Sequence, residues 1–212
     1  MNKRFLGNQN GASRVRRLTT MALLLAVIAI FTFTPLGFVP ITPISAATLM
    51  HIPVLVGLLY EGFLPGLLLG FLFGLLSLLK ALTPTSLLDP YIINPLVSVL
   101  PRLLIPCTAW LVYRGLAAAL KGKARLPVAW MCAAIAGSLT NTAGVLGMLY
   151  LLYAAPLAQA APEGAKALLG GIAVMYGLPE AALAALAVPA LMGALTQSAR
   201  MRPAAQERRG GK

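Results

Sequence analysis

The stretch LPGLLLGFLFGLLSLLKA, Leu64–Ala81, is eighteen residues long and carries one charge, Lys80, next to its end. Eighteen helical residues rise ~27 Å, close to the ~30 Å hydrocarbon core of a bilayer. A surface helix of a soluble domain keeps a polar face, and this run has none. It therefore reads as a helix that crosses a membrane. Gly66, Gly70 and Gly74 recur every four residues along it, a ridge of small residues that lets a neighbouring helix come close.

The rest of the chain has the same character. Of its 212 residues, 59% are hydrophobic and only 10% are charged, and the mean hydropathy is +0.85, a balance outside the soluble range. The apolar runs predict six spans, at Leu18–Phe33, Ala46–Tyr60, Leu64–Ala81, Pro95–Ala119, Pro127–Ala155 and Pro179–Ala199. The first, LTTMALLLAVIAIFTF, has the look of a secretory signal, but no small-x-small cleavage site follows it, so it reads as a retained helix. Leu168–Tyr176 is also apolar, yet Gly170, Gly171, Gly177 and Pro179 interrupt it. It reads as a short helix or a re-entrant piece packed on protein. The expected fold class is all-α: a polytopic six-transmembrane-helix bundle.

Charge gives the expected orientation. The net charge is +12, and its basic residues are grouped. Five lie in the N-terminal segment (Lys3, Arg4, Arg14, Arg16, Arg17), four around one short linker (Arg114, Lys121, Lys123, Arg125) and five near the C-terminus (Arg200, Arg202, Arg208, Arg209, Lys212). Six spans put these three groups on one side, and cytoplasmic segments are the ones rich in Lys and Arg. Both termini are thus expected in the cytoplasm, with residues 1–17 and 201–212 as basic tails and 18–200 as the membrane domain. Nucleic-acid binding needs aromatic or recognition-helix features, which the basic tails, with Phe5 as their one aromatic residue, do not supply.

The second predicted span is short. Its fifteen residues cover about 22 Å of a core about 30 Å thick. The preceding loop, TPLGFVPITPIS at residues 34–45, has three prolines and no charge. It reads either as a lid packed into the outer end of the bundle or as a plain apolar connector.

NPLVSVLPRLLIP, Asn94–Pro106, holds an arginine in an otherwise apolar run. Arginine inside a membrane helix costs at least ~2.5–3.5 kcal/mol, so it faces a cavity or a partner. Asn94, Ser98 and Arg102 are spaced i, i+4, i+8 and are expected on one helical face. Arg102 either pairs with Asp89 or Glu180, snorkels outward, or serves as a fixed cation for a carboxylate ligand, which guanidinium suits in bidentate geometry. Other polar residues fall at similar depth: His51 with Thr48 on the second span, Asn141 with Ser138 on the fifth, and Glu180 at the head of the sixth. Each has a structural reading as well, helix capping for Glu180 after Pro179 and interhelical hydrogen bonding for Asn141. Together they describe an outward-facing pocket for a small, partly polar molecule.

Several chemistries find no residues to carry them. The chain has no G-x-x-x-x-G-K-[ST], no HExxH and no GxSxG. It has no metal-spaced cluster, and no cofactor is expected. Cys107 and Cys132 form no CxxC and read as small packed side chains. Ser138 with His51 as base would make an intramembrane nucleophile, but no motif supports it, so no catalytic residue is expected. No internal repeat of the inverted-repeat transporters is evident.

The segments ATLMHIPVLVGLLYEGFLPGLLLGFLFGLLSLL, DPYIINPLVSVLPRLLIP, AGSLTNTAGVLGMLYL and GLPEAALAAL resemble the substrate-binding S component of energy-coupling factor (ECF) transporters, over roughly residues 18–200. MHIP, PLVSVLPR and SLTNT are most similar to the pantothenate-type branch. The resemblance implies a multi-pass protein of a bacterial or archaeal cytoplasmic membrane that captures a water-soluble vitamin from outside. It also implies partners: a transmembrane coupling subunit and two cytoplasmic ATPases that supply the ATP hydrolysis. Small residues on the first helix dock the coupling subunit in this family; Ala22 and Ala26 match that spacing, and Ile30 departs from it. Pantothenate carries a carboxylate that Arg102 would suit. The alternatives are an S component for another vitamin, such as riboflavin or folate, and a structural or scaffolding membrane protein whose polar stripe only holds helices together.

Overall fold

The computed structural model describes residues 3–40, 46–83, 88–160 and 164–210, with side chains over 14–37, 49–83, 88–159 and 164–198. The described residues are helical apart from one small hairpin. Helix α1 is Lys3–Phe33, followed by a 3-10 turn at Pro35–Gly37. Strands β1 (Phe38–Pro40) and β2 (Ala46–Thr48) come next, then α2 (Ile52–Glu61) and α3 (Phe63–Ala81). Two single turns, α4 (Asp89–Ile92) and α5 (Pro95–Ser98), lead into α6 (Leu100–Ala119), then α7 (Arg125–Ala160) and α8 (Gly164–Ile172). A π-turn at Ala173–Gly177 joins α8 to α9 (Leu178–Gly210). Among the described residues, five runs are long and apolar enough to cross a membrane: Arg14–Phe33, Phe63–Ala81, Pro95–Ala119, Arg125–Gln159 and Gly164–Ser198; Ile52–Glu61 is apolar but shorter.

That short helix is the centre of the molecule. Every residue of α2 from Ile52 to Leu58 is buried, as expected for a helix apolar all round. Leu55 and Leu58 share one core with Ile28 of α1, Leu69 of α3, Ile105 of α6, Ala133 of α7 and Val188 of α9. The α2–α3 turn is made by Gly62 at φ 105, a left-handed conformation that glycine adopts without strain. On α1, Met21, Leu24, Leu25 and Ile28 face this core, while Ala22 and Ala26 on the other side are exposed.

The glycine ridge of α3 is used along its whole length. A Cβ on Gly66 would stand 2.7 Å from Leu58 of α2. One on Gly70 would stand 2.6 Å from the Arg102 carbonyl oxygen, and one on Gly74 2.8 Å from Val99 Cα. The pairs Gly70–Arg102 and Gly74–Val99 run in opposite senses, so α3 and α6 are antiparallel. α7 is antiparallel to α6 in turn, with Gly137 facing Ile105 and Ala109, and Gly144 facing Pro101.

Three expectations are corrected, and one span holds its bounds with a break inside it. The predicted second span, Ala46–Tyr60, is not one helix. Ala46–Thr48 pairs antiparallel with Phe38–Pro40 in the register Phe38↔Thr48, Val39↔Ala47, Pro40↔Ala46, and the helix starts only at Ile52, with Pro53 in its first turn. The 34–45 loop is thus partly one arm of a hairpin; residues 41–45 lie outside the described residues. The fourth span keeps its predicted bounds, Pro95–Ala119, with a break inside it: α5 ends at Ser98, Val99 is a turn residue, and α6 starts again at Leu100, because Pro101 cannot donate to the carbonyl four residues back. The fifth helix runs on to Ala160 across a kink at Tyr153 (φ −133, ψ 21), near Pro156. Finally, 168–176 is not a separate piece. The chain is helical from Gly164 to Gly210, and the π-turn directly before Leu178-Pro179 absorbs the hydrogen bond that Pro179 cannot make.

Candidate functional site

The site is built at one end of the bundle, where the antiparallel packing brings several helices to one level. Leu55 of α2 faces Gly137 of α7. One turn back along α2 is His51, and one turn on along α7 is Asn141. The pairs Gly137–Ile105 and Gly144–Pro101 bracket Asn141 and Arg102 on the α6–α7 seam. Gly177 packs on Thr142, at 2.9 Å for a Cβ, and Glu180 lies one turn further along α9, back toward Ser138. β2 packs against the π-turn and α9, so the hairpin stands over this end.

Arg102 is 8% exposed. Its Nη1 donates to the Val97 carbonyl at 2.9 Å, and its guanidinium carbon lies 5.5 Å from the centroid of the Phe73 ring, within cation–π range. Val97 is the residue whose carbonyl Pro101 leaves without a helical donor, and the arginine side chain takes the place of that missing N–H. Of the two carboxylates considered from sequence, Glu180 is the one whose charge acts on Arg102, and it is itself 5% exposed.

Burial and hydrogen bonding together single out four residues. Among the described residues, the buried side-chain nitrogen and oxygen atoms without a hydrogen-bond partner are both ring nitrogens of His51, Nε of Arg102, Oγ of Ser138 and Oδ1 of Asn141. His51 and Ser138 are fully buried. Buried polar atoms are nearly always paired, so such atoms need an explanation, and here they fall on three elements, the head of α2, α6 and α7, that meet at one level.

The remaining predicted residues have other placements. Asn94 caps α5: its Oδ1 accepts from Leu96 N at 3.0 Å, and its Nδ2 donates to Tyr153 Oη at 3.0 Å. Ser98 is buried and its hydroxyl donates to the Asn94 carbonyl at 3.3 Å. Asn94, Ser98 and Arg102 therefore form a hydrogen-bonded chain of turns rather than one stripe on a continuous helix. Thr48 sits in β2 opposite Phe38, with its side chain outside those described. Ala22 and Ala26 lie on the exposed side of α1, away from this end's polar residues. Sequence reasoning missed Phe73 and Tyr153. Phe73 stands three residues after Gly70, on the ridge face of α3, and that spacing was the available signal.

The opposite end of the bundle is basic. Arg17 Nη2 donates to the Glu61 carbonyl at 3.2 Å, with Nε 3.7 Å from Glu61 Oε2, which ties α1 to the α2–α3 turn. Phe63 meets Trp110 at 6.1 Å between ring centroids, which sets the start of α3 beside the middle of α6.

Two comparisons bear on this arrangement. Over 203 residues the chain is 29% identical to the "Pantothenic acid transporter PanT" of Lactococcus lactis subsp. cremoris (strain MG1363), covering 88% of this chain and 95% of that protein. Residues 16–192 match the family described as "ECF transporter, substrate-specific component". Polar groups held unpaired at one end of a multi-pass apolar bundle, together with a family match across most of the chain, lead to one conclusion: this protein belongs to the family of substrate-specific components of ECF transporters.

Proposed function

We propose that the chain binds pantothenate at the end of the bundle covered by the hairpin, and that this end faces outward. The observation that carries the reading is the set of unpartnered buried atoms on His51, Arg102, Ser138 and Asn141. An apolar bundle that keeps such atoms for packing alone loses their solvation without compensation; a polar ligand restores it. Nη1 of Arg102 is held by Val97 and Nε has no hydrogen-bond partner, so a ligand carboxylate meets the guanidinium on its Nε side. His51, Ser138 and Asn141 meet the ligand's uncharged polar groups. Glu180 holds the guanidinium in place from the α9 side. Asn94 and Ser98 shape the approach of α5, and Thr48 closes the site from the hairpin.

In this reading α2 completes a six-helix crossing, its missing depth made up by the hairpin, with both termini and the 120–126 linker in the cytoplasm. The basic end supports that orientation. The exposed face of α1 with Ala22 and Ala26 docks the coupling subunit, and two cytoplasmic ATPases drive import across the bacterial cytoplasmic membrane. The chain itself carries no reaction.

The test is a thermal-shift panel of water-soluble vitamins on detergent-purified protein, followed by titration. A ligand that binds only the folded state raises the melting temperature by mass action. Stabilisation by pantothenate and not by riboflavin or folate is expected. The action of Glu180 on Arg102 favours a second reading, in which the polar groups only hold helices together; no response to any vitamin would favour that one.

A further inference from the structure

We propose that the groove between α7 and α8 seats one anionic phospholipid, with an acyl chain along its floor and the phosphate on Lys166. The groove has a volume of about 290 Å³. It is lined by Leu146 and Tyr150 of α7, Lys166, Leu169 and Gly170 of α8, and Ala173 of the π-turn. The spacings 146/150 and 166/170/173 place each set on one helical face. A Cβ at Gly170 would meet nothing within 4 Å, so the missing side chain is what leaves the trough empty. The groove's neighbours Leu151, Val174 and Met175 are exposed apolar side chains on a bundle of membrane-crossing length, so the occupant comes from the lipid phase.

The headgroup follows from charge. Among the described residues, Lys166 is the only charged one lining the groove. Its ammonium lies 6.0 Å from the centroid of the Tyr150 ring, and it has no carboxylate partner among the described residues. A lysine on an apolar trough, braced on a tyrosine, matches a phosphate at the polar edge of a bilayer with hydrocarbon beside it. Because no described carboxylate pairs with it, an anionic lipid is preferred over a zwitterionic one. The seat is separate from the vitamin site and does not depend on it.

The test uses the full chain in mixed micelles with equimolar phosphatidylglycerol and phosphatidylcholine of identical acyl chains, with retained lipid counted by native mass spectrometry. Phosphatidylglycerol should be retained about fivefold over phosphatidylcholine, the preference expected for one lysine near an anionic headgroup. Lys166→Gln, at an exposed position, should abolish the preference. Gly170→Leu should reduce retention of both lipids, while circular dichroism melting reports that each variant folds. Equal retention of the two lipids by the wild-type chain would overturn the proposal. So would a preference that survives in Lys166→Gln, or unchanged retention in Gly170→Leu.

Discussion

The carbonyl of Val97 takes its hydrogen bond from the side chain of Arg102, 2.9 Å away. Pro101 stands where a backbone donor would otherwise be, and it has no N–H. The arginine thus completes a helix junction with one nitrogen, while its Nε has no hydrogen-bond partner. Arg102→Ala should therefore do two separable things. Leaving the Val97 carbonyl unpaired should cost about 1–3 kcal/mol of stability, read as a lower melting temperature without ligand. Pantothenate affinity should fall more than tenfold, equivalent to over ~1.4 kcal/mol, read by titration of the folded variant. A variant that melts lower but binds normally would reduce Arg102 to a structural role.

His51 offers a cleaner separation, because neither of its ring nitrogens has a partner. Replacing an unpaired buried polar group by an apolar one of similar size is close to neutral, within about 1 kcal/mol, or stabilising. His51→Leu should accordingly melt at or above the wild-type temperature in the absence of vitamin and bind pantothenate at least about tenfold more weakly. Asn141→Leu should behave alike. Loss of stability together with retained binding would show these atoms to be structural.

Asn94 should give the opposite pattern. Its amide is engaged at both ends, by Leu96 N and by Tyr153 Oη. Asn94→Ala should remove about 1 kcal/mol, the usual value of a lost N-cap, and Tyr153→Phe part of that. Affinity should change by no more than about threefold. A large loss of affinity in Asn94→Ala at unchanged melting temperature would make it a ligand contact.

The α3 ridge predicts graded intolerance to a methyl group. Gly70→Ala and Gly74→Ala place a Cβ 2.6 Å from the Arg102 oxygen and 2.8 Å from Val99 Cα, backbone atoms that cannot step aside, and each should cost about 1–3 kcal/mol. Gly193→Ala, where a Cβ meets nothing within 4 Å, should be neutral or gain up to ~1 kcal/mol from helix propensity. Thermal melts of the three variants under one detergent condition would decide it.

What could be read from the chain was whatever depends on composition and local period. Leu64–Ala81 is a span because it has no polar face, and its glycines meet the helices that their spacing allows. His51, Arg102, Ser138 and Asn141 stood out as polar residues in apolar runs, and those four carry the unpaired atoms. The junctions were harder to read. Ala46–Thr48 is apolar enough to extend a helix and becomes a strand only because Phe38–Pro40 is there to pair with it. Pro101 and Val99 divide a run that hydropathy joins. Gly170, Gly171, Gly177 and Pro179 look like breaks, yet a single π-turn carries the helix past them. Asn94 shared a period with Arg102, but its hydrogen bonds are to Leu96 and Tyr153, and nothing in the local sequence announces the second partner.

One consequence concerns α3. Gly70 rests against the backbone oxygen of Arg102, and Phe73, three residues on, lies beneath its guanidinium. A single helix thus acts as the ruler from which both the depth and the heading of the charge are measured. Substitutions along α3 that never reach the pocket can still re-aim the cation, so under the proposed carboxylate role of Arg102 selectivity would drift between ligands of different length with the arginine itself unchanged.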